Sequence, residues 1–236
     1  VVVEPVAYGN YHDKLLAQIA AGVAPDITLM DPANFMRYAT RDAIWNLNDL
    51  SAQDAGFDLS AYYPPIVAAH SLDGNLYVLP RDIAPIGLIY YNKKIFDEVG
   101  LPYPDGTWTW DYEPRPELGH KDFYTVVQKL TKRGNSGKVE RYGFSPGWPT
   151  AITDVFMYSA GGAYLDDPAR PTKLRTDEPV AIKAMELLRR MMYEDKIVPS
   201  TVELSTSLMA STGDLFVQGR VAMMQTGIWE VPNLRK

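Results

Sequence analysis

The side chains in this sequence that could do chemistry are an indole ring and planar polar groups placed just after predicted strands. Asp31 and Asn34 follow one apolar strand, Arg81 and Asp82 follow a second, and Trp229 follows a third. Ligands of open α/β sheets lie beyond the carboxyl ends of strands, which is where these residues fall. An indole packs on an apolar ligand face, and carboxylate, amide and guanidinium groups hydrogen-bond to hydroxyls. Their placement makes these residues candidates for contacts with a bound ligand.

Motifs of the common enzyme classes are absent from the sequence. There is no G-x-S-x-G elbow, no H-E-x-x-H helix, and no phosphate-cradling or dinucleotide-binding glycine motif. His12, His70 and His120 lie on or beside predicted helices and do not have the spacing of metal ligands. We therefore expect no catalytic residue, no metal and no cofactor. A glycosidase pair hidden among the 29 Asp and Glu residues stays open.

Composition narrows the class of protein further. The 236 residues carry a net charge of −6, which argues against a nucleic-acid-binding surface, since such a surface needs clustered Lys and Arg. A hydrophobic content of 46% is enough to bury a core. Cysteine is absent, which excludes disulfides and thiolate zinc sites in this segment. No apolar run approaches the ~20 residues of a membrane-spanning helix.

The most informative stretch is the eight residues 90–97. The apolar run 86–91 predicts a buried strand that ends at Asn92, a residue that caps helices well. A short helix is expected over 93–99, because Gly100 and then Pro102 follow it. The sequence therefore predicts a buried strand that leads directly into a capped helix.

The N-terminal part alternates strands and helices. We predict a strand over 1–5, a helix over 10–22 and a strand over 27–30, an order typical of a parallel α/β layer. An Asp-Gly turn signal precedes a further strand at 76–79. The C-terminal part is predicted to contain an insertion loop at 112–120, helices at 121–132, 177–193 (capped by Asp177) and 214–219, and strands at 141–144 and 221–224.

Several segments resemble, in the correct order along the chain, the extracellular solute-binding proteins of bacterial ABC importers, above all the sugar-carrying branch. They are YHDKLLAQIAAGVAPDI, DGNLYVLP, LIYYNK, the Trp-Thr-Trp segment, YGF, SAGG, EDKIVPS and FVQGRVAMMQTGIW. The resemblance implies an α/β, two-lobed periplasmic-binding-protein-like fold of type II, here expected to be incomplete at both ends. It places lobe one at 1–88, lobe two at 89–236 and the crossover hinge near 86–92.

The function implied by the resemblance is capture of a sugar or oligosaccharide between two lobes and its delivery to the membrane permease of an ABC transporter. It also implies hinge closure, a periplasmic or extracellular location with peripheral or lipid-anchored membrane attachment, a monomer, and no cofactor or nucleic acid. Three alternatives stay open: a non-sugar solute such as a glycerophosphodiester, a carbohydrate-active enzyme, and a sensor that hands ligand to a membrane receptor.

The resemblance also assigns roles to individual residues, each with a structural alternative. Relatives often place a sugar-stacking Trp at the position of Trp229, whose alternative role is to anchor the last helix. The loop after 27–30 supplies polar contacts in relatives, which suggests Asp31 and Asn34; Asp31 could instead cap the short helix that follows. Maltose-type members carry an acidic–basic pair near Asn34, so their sugar preference is not transferred.

Two further site assignments come from loops. Asp82 is a good hydroxyl acceptor that Arg81 could orient, and the alternative is a purely structural ion pair between the two. Trp148 lies in a Ser-Pro-Gly-Trp-Pro loop of lobe two that often faces the ligand in relatives. Trp108 is assigned to packing.

Overall fold

The computed structural model describes residues 2–6, 8–83, 87–109, 112–147, 155–168, 170–205 and 212–235. The chain divides into two compact units, Val1–Ile83 and Ala84–Lys236. The sequence-based boundary at 88/89 lies a few residues later, and the assignment of the two parts as lobes stays a prediction.

The first unit consists mainly of short helices. Its elements are α1 (Tyr8–Ala20), α2 (Phe35–Ala39), α3 (Asn48–Gln53), a 3-10 turn (Leu59–Ala61), α4 (Pro64–Ala69), β1 (Ser71–Leu72) and β2 (Asn75–Leu76). Its buried apolar side chains come from α1, α2 and β2 and include Leu15, Phe35 and Tyr38. Apolar residues of α1 at helical spacing produce this buried face, as the sequence predicts.

A tight hairpin joins β1 to β2. Asp73 and Gly74 both have positive φ, 52° and 81°, so the predicted turn is confirmed. The predicted strand 76–79 is shorter in the structure and ends at Leu76. Leu76 hydrogen-bonds instead to the backbone N–H of Leu47, which donates to its carbonyl at 2.7 Å, and to the Asn48 side chain, which accepts from its N–H at 3.0 Å.

The strands predicted at 1–5 and 27–30 are wrong for the described residues. The backbone of 2–6 and of 27–30 is irregular, and Val2, Ile27 and Leu29 are exposed. The N–H of Leu29 donates to the hydroxyl of Tyr11 at 2.9 Å, not to a strand. A strand needs a hydrogen-bonding partner, and an apolar pattern alone does not reveal whether one is present.

The second unit contains a four-stranded sheet. In chain order its strands are β3 (Leu88–Tyr91), β4 (Lys132–Arg133), β5 (Val139–Pro146) and β6 (Val221–Thr226). The spatial order is β3-β6-β5-β4, with β5 and β6 parallel and the other two pairs antiparallel. Every residue of β6 is buried, as expected of a central strand.

Helices pack around this sheet. They are α5 (Lys93–Val99), α6 (Phe123–Leu130), α7 (Pro179–Arg189) continued by a π turn (Arg190–Glu194), α8 (Thr201–Ser205), α9 (Thr212–Val217) and α10 (Val231–Leu234), with 3-10 turns at Pro116–Lys121 and Ile228–Glu230. Phe96 of α5, Val126 of α6 and Met191 of the π turn are fully buried in one cluster with Phe144 and Met223 of the sheet.

Helix α5 begins at a side-chain cap, whereas α7 begins at a proline. The Asn92 side chain accepts from the N–H groups of Lys94 and Ile95, and Gly100 at φ 70° closes α5, as predicted. The prediction that Asp177 caps the longest helix is wrong, because α7 begins at Pro179 and Glu178 precedes it. Proline suits the first helical position, since its missing N–H would be unpaired there in any case.

Candidate functional site

The carboxyl ends of β5 and β6 meet at one edge of the sheet in the second unit. The two strands are parallel, with Pro146 opposite Gln225, so both chains leave the sheet on the same side. Beyond β6 the chain passes Gly227 and forms the 3-10 turn Ile228–Glu230, which carries Trp229. In open α/β sheets this edge is where ligands bind.

The ring of Trp229 packs directly against Gly227. A Cβ atom on Gly227 would lie 2.2 Å from Cζ3 of the Trp229 ring, so the indole occupies space that only a glycine leaves free. The ring is still 46% exposed, and the carbonyl of Gly227 accepts from the Tyr90 hydroxyl at 3.1 Å. Burial, followed by the nearby Glu230 carboxylate, raises the pKa of Tyr90, which keeps this hydroxyl a donor. The turn thus holds an indole in a fixed and partly accessible position.

Gln225 is a residue that the sequence reasoning missed. It is 1% exposed, and neither its Oε1 nor its Nε2 atom has a hydrogen-bond partner within the described parts of the chain. Buried amides are nearly always paired, which makes this one unusual. Its only signal in the sequence is a polar residue at the end of the apolar run of β6.

Asp31 and Asn34 are brought together in the first unit. Asn34 Nδ2 donates to Asp31 Oδ1 at 2.9 Å, and His12 Nε2 lies 3.1 Å from Asp31 Oδ2. The other ring nitrogen of His12 lies 3.2 Å from the hydroxyl of the fully buried Tyr38. His12 was also missed, because neither its place on a helix nor its spacing marks it in the sequence.

Arg81 and Asp82 form an ion pair with each other. Arg81 Nε donates to Asp82 Oδ2 at 2.7 Å, and the two side chains are 69% and 58% exposed. This matches the structural alternative considered for the pair, and an exposed pair of this kind contributes little to stability. Both groups remain accessible to solvent, and their contact with a ligand stays a prediction.

The remaining tryptophans differ in placement. Trp148 lies outside the described residues, so its predicted role stays a prediction. The same holds for Trp110, which the sequence assigns to packing together with Trp108. Trp108 is packed parallel to Phe96 with ring centroids 6.2 Å apart, as the packing assignment expected.

Within the described residues no cluster of three or more His, Asp or Glu side chains could hold a metal ion. No described helix combines the length and the apolar character needed to cross a bilayer.

Comparison with known proteins finds a matching family and curated relatives that are about twice as long as this chain. The family described as bacterial extracellular solute-binding protein matches residues 1–235. A putative binding protein of Brucella abortus (strain 2308) is 24% identical over 98% of this chain and 53% of its own length. The chain spans about half the length of the curated relatives that it matches.

Two solved structures are similar along nearly the whole chain. One is an ABC substrate-binding protein of Listeria monocytogenes in complex with cycloalternan, with a TM-score of 0.78, 28% identity, and coverage of 99% of this chain and 55% of that one. The other is UgpB of Mycobacterium tuberculosis in complex with glycerophosphocholine, with a TM-score of 0.69, 21% identity, and coverage of 94% and 51%. At its lower identity the second likeness concerns the fold alone.

Proposed function

Since this chain belongs to the bacterial extracellular solute-binding proteins and has their α/β, two-lobed fold, we propose that it forms part of the substrate-binding component of an ABC transporter and that its solute is a sugar or oligosaccharide. The solute is bound and released unchanged. The observation that carries this proposal is the likeness, over 99% of the chain, to a protein bound to an oligosaccharide.

The proposed ligand contacts lie in both units. Trp229 offers a partly exposed indole for the apolar face of a sugar ring, at a strand end where ligands are expected. Asp31 and Asn34 offer a paired carboxylate and amide for hydroxyls, and Arg81 with Asp82 offers a second polar pair. Trp148 is proposed as a further stacking residue from its place in the sequence alone.

The proposed partners follow from the transport role. The complete protein would deliver its solute to the permease subunits outside the cytoplasmic membrane, working as a monomer held at the membrane peripherally or by a lipid anchor. Its family name supports the extracellular location. We further propose that solute binding favours a closed form of the protein that the permease recognises, since a ligand shifts an equilibrium toward the form that it binds better.

The second candidate solute is a glycerophosphodiester. A phosphodiester needs cationic partners, and Arg81 is the cationic residue proposed for the site. Its guanidinium is already paired with Asp82, which lowers the positive charge that it offers to an anion. This pairing favours the neutral carbohydrate.

Isothermal titration of the complete protein separates these classes. Cycloalternan, maltotriose, maltotetraose and ribitol represent carbohydrates and polyols, and glycerophosphocholine represents the phosphodiesters. We expect at least one carbohydrate to bind with one-to-one stoichiometry and no product to form on incubation. Binding of glycerophosphocholine alone would replace the proposed solute, and release of cleaved sugar would replace the transport role with an enzymatic one.

A further inference from the structure

His12 links the proposed ligand residue Asp31 to a buried tyrosine. The His12 cluster consists of His12, Asp31, Asn34 and Tyr38, and it joins α1, the loop before α2, and α2 itself. The side chains of His12 and Asp31 are 15% and 30% exposed, so the contact between them is largely shielded from water. Asn34 holds one carboxylate oxygen of Asp31 and His12 holds the other.

The cluster can accept a proton without losing a hydrogen bond. The Tyr38 hydroxyl lies 3.2 Å from His12 Nδ1 and 3.3 Å from the backbone carbonyl of His12. With a neutral ring that carries its proton on Nε2, the hydroxyl donates to Nδ1. With a charged ring, Nδ1–H donates to the hydroxyl oxygen, and the hydroxyl donates to the carbonyl. Both ring nitrogens therefore keep a partner in either protonation state.

Within the described residues, the charged and titratable groups near the ring come from three elements. Tyr11 and Asp13 belong to α1 itself, and the Tyr11 ring meets His12 edge-on at 5.3 Å. Asp31 approaches from the loop, and Arg37 of α2 places its guanidinium 5.9 Å from the Tyr38 ring centre. Of these groups, Asp31 is at hydrogen-bonding distance of the ring, so a charge on His12 acts first on that carboxylate.

We propose that His12 is a positioning residue that fixes the Asp31 carboxylate for the ligand and makes ligand affinity fall on acidification. The proposal rests on the proposed function, which gives Asp31 the role of hydroxyl acceptor. A neutral imidazole orients the carboxylate and leaves its negative charge in place, so that a ligand hydroxyl can donate a charge-assisted hydrogen bond. An imidazolium compensates that charge and weakens the acceptor.

The sign of the effect follows from linkage. Imidazole is the side chain that changes its charge between about pH 5 and pH 8. If the ligand binds better to the protein with a neutral His12, protonation of His12 lowers the affinity for the ligand. Ligand binding then lowers the affinity for the proton by the same factor.

The test is titration calorimetry of the complete protein between about pH 5.5 and pH 7.5, with the carbohydrate of the panel above that binds most tightly. We expect the dissociation constant to rise about threefold to tenfold at the lower pH. Repeating the titration near pH 6.5 in buffers of different ionisation enthalpy should show proton release on binding. A flat profile without proton release overturns the inference.

Three variants separate positioning from a structural role. His12→Gln keeps a donor for Asp31 but cannot titrate, so it should bind at neutral pH nearly as the wild type does and lose the pH dependence. His12→Phe lacks the donor and should bind weakly at every pH. His120→Gln changes an exposed histidine of the second unit and should keep the wild-type profile.

The outcomes distinguish this inference from the proposed function. A His12→Gln variant that keeps the wild-type pH profile overturns the inference alone, as does carbohydrate binding that is independent of pH. Failure of every carbohydrate to bind at any pH overturns the proposed function and this inference together. Thermal unfolding of each variant confirms that it is folded before it is titrated.

Discussion

At the scale of single residues, one residue near the end of β6 and one in the turn that follows it differ in what the sequence could reveal. Trp229 could be placed at a strand end from the apolar run and the glycine before it. The packing of its ring could not be predicted, because it depends on the absence of a Cβ atom at Gly227. The two residues come into contact only when the turn has formed. The sequence marks Gln225 only as a polar residue at the end of an apolar run, since burial of its amide is a property of the assembled sheet.

The first prediction concerns Gln225. Replacing it with Met keeps the length of the side chain and removes two buried polar atoms that lack partners in the described structure. Because an unsatisfied buried amide costs about 1–3 kcal/mol, we expect Gln225→Met to raise the free energy of unfolding by about 1 kcal/mol, measured by urea denaturation without ligand. A loss of stability would mean that the amide is hydrogen-bonded in the free protein.

At the scale of elements, local signals predicted better than long-range ones. Helix α5 matches its predicted range because Asn92 and Gly100 cap it from within the segment. The strands predicted at 1–5 and 27–30 did not form, since pairing depends on chain that is distant in sequence. Helix α6 begins at Phe123, close to the predicted start at 121, and Asp122 caps it by accepting from the N–H of Thr125, whereas the interpretation of 112–120 as an insertion stays a prediction.

The second prediction concerns the approach of β5 to α6. A Cβ on Gly143 would lie 2.0 Å from the backbone carbonyl oxygen of Val127, which cannot move aside as a side chain would. We expect Gly143→Ala to destabilise the protein by at least about 1–3 kcal/mol. Gly106→Ala is the matched control, because its Cβ would meet no atom within 4 Å and should change stability little. Equal urea midpoints for the two variants would contradict the packing described.

The third prediction concerns Glu203, a residue of α8 whose carboxylate is hydrogen-bonded to strand β5. Its carboxylate accepts from the Tyr142 hydroxyl at 2.6 Å and from Ser200 N at 2.8 Å and Oγ at 2.7 Å. Burial alone would raise the pKa of Glu203, but these hydrogen bonds and the charge of Lys196 outweigh it, and the net pKa is lowered. The stabilisation is therefore present above the ordinary pKa of 4.5 and is lost as the pH falls through the lower folded-state value.

Glu203→Gln should accordingly cost about 1–2 kcal/mol at neutral pH, and the difference from the wild type should shrink below about pH 4. Urea denaturation at both pH values measures this. Glu186→Gln, on the exposed side of α7, serves as the control and should follow the wild type at both. A stability difference for Glu203→Gln that is independent of pH would rule out the carboxylate as its source.

At the scale of the whole molecule, the sequence predicted the family through the order of its segments, and the comparisons confirm it. The lobe boundary and the residues that meet the solute stay predictions, because they depend on how distant parts of the chain come together. Asp31 belongs to the first unit and Trp229 to the second. A ligand that binds only the folded protein would raise the unfolding temperature, and the increase would grow with the ligand concentration relative to the dissociation constant.

The most direct test of this account is the affinity of one carbohydrate for the wild type, Asp31→Ala, Trp229→Ala and the control Trp45→Ala, measured by titration calorimetry. Trp45 is 75% exposed in the first unit and is not a proposed ligand contact. We predict at least about tenfold weaker binding, about 1.4 kcal/mol, for each of the two site variants and unchanged binding for the control. Unchanged affinity in both site variants, or an equal loss in Trp45→Ala, would contradict the account.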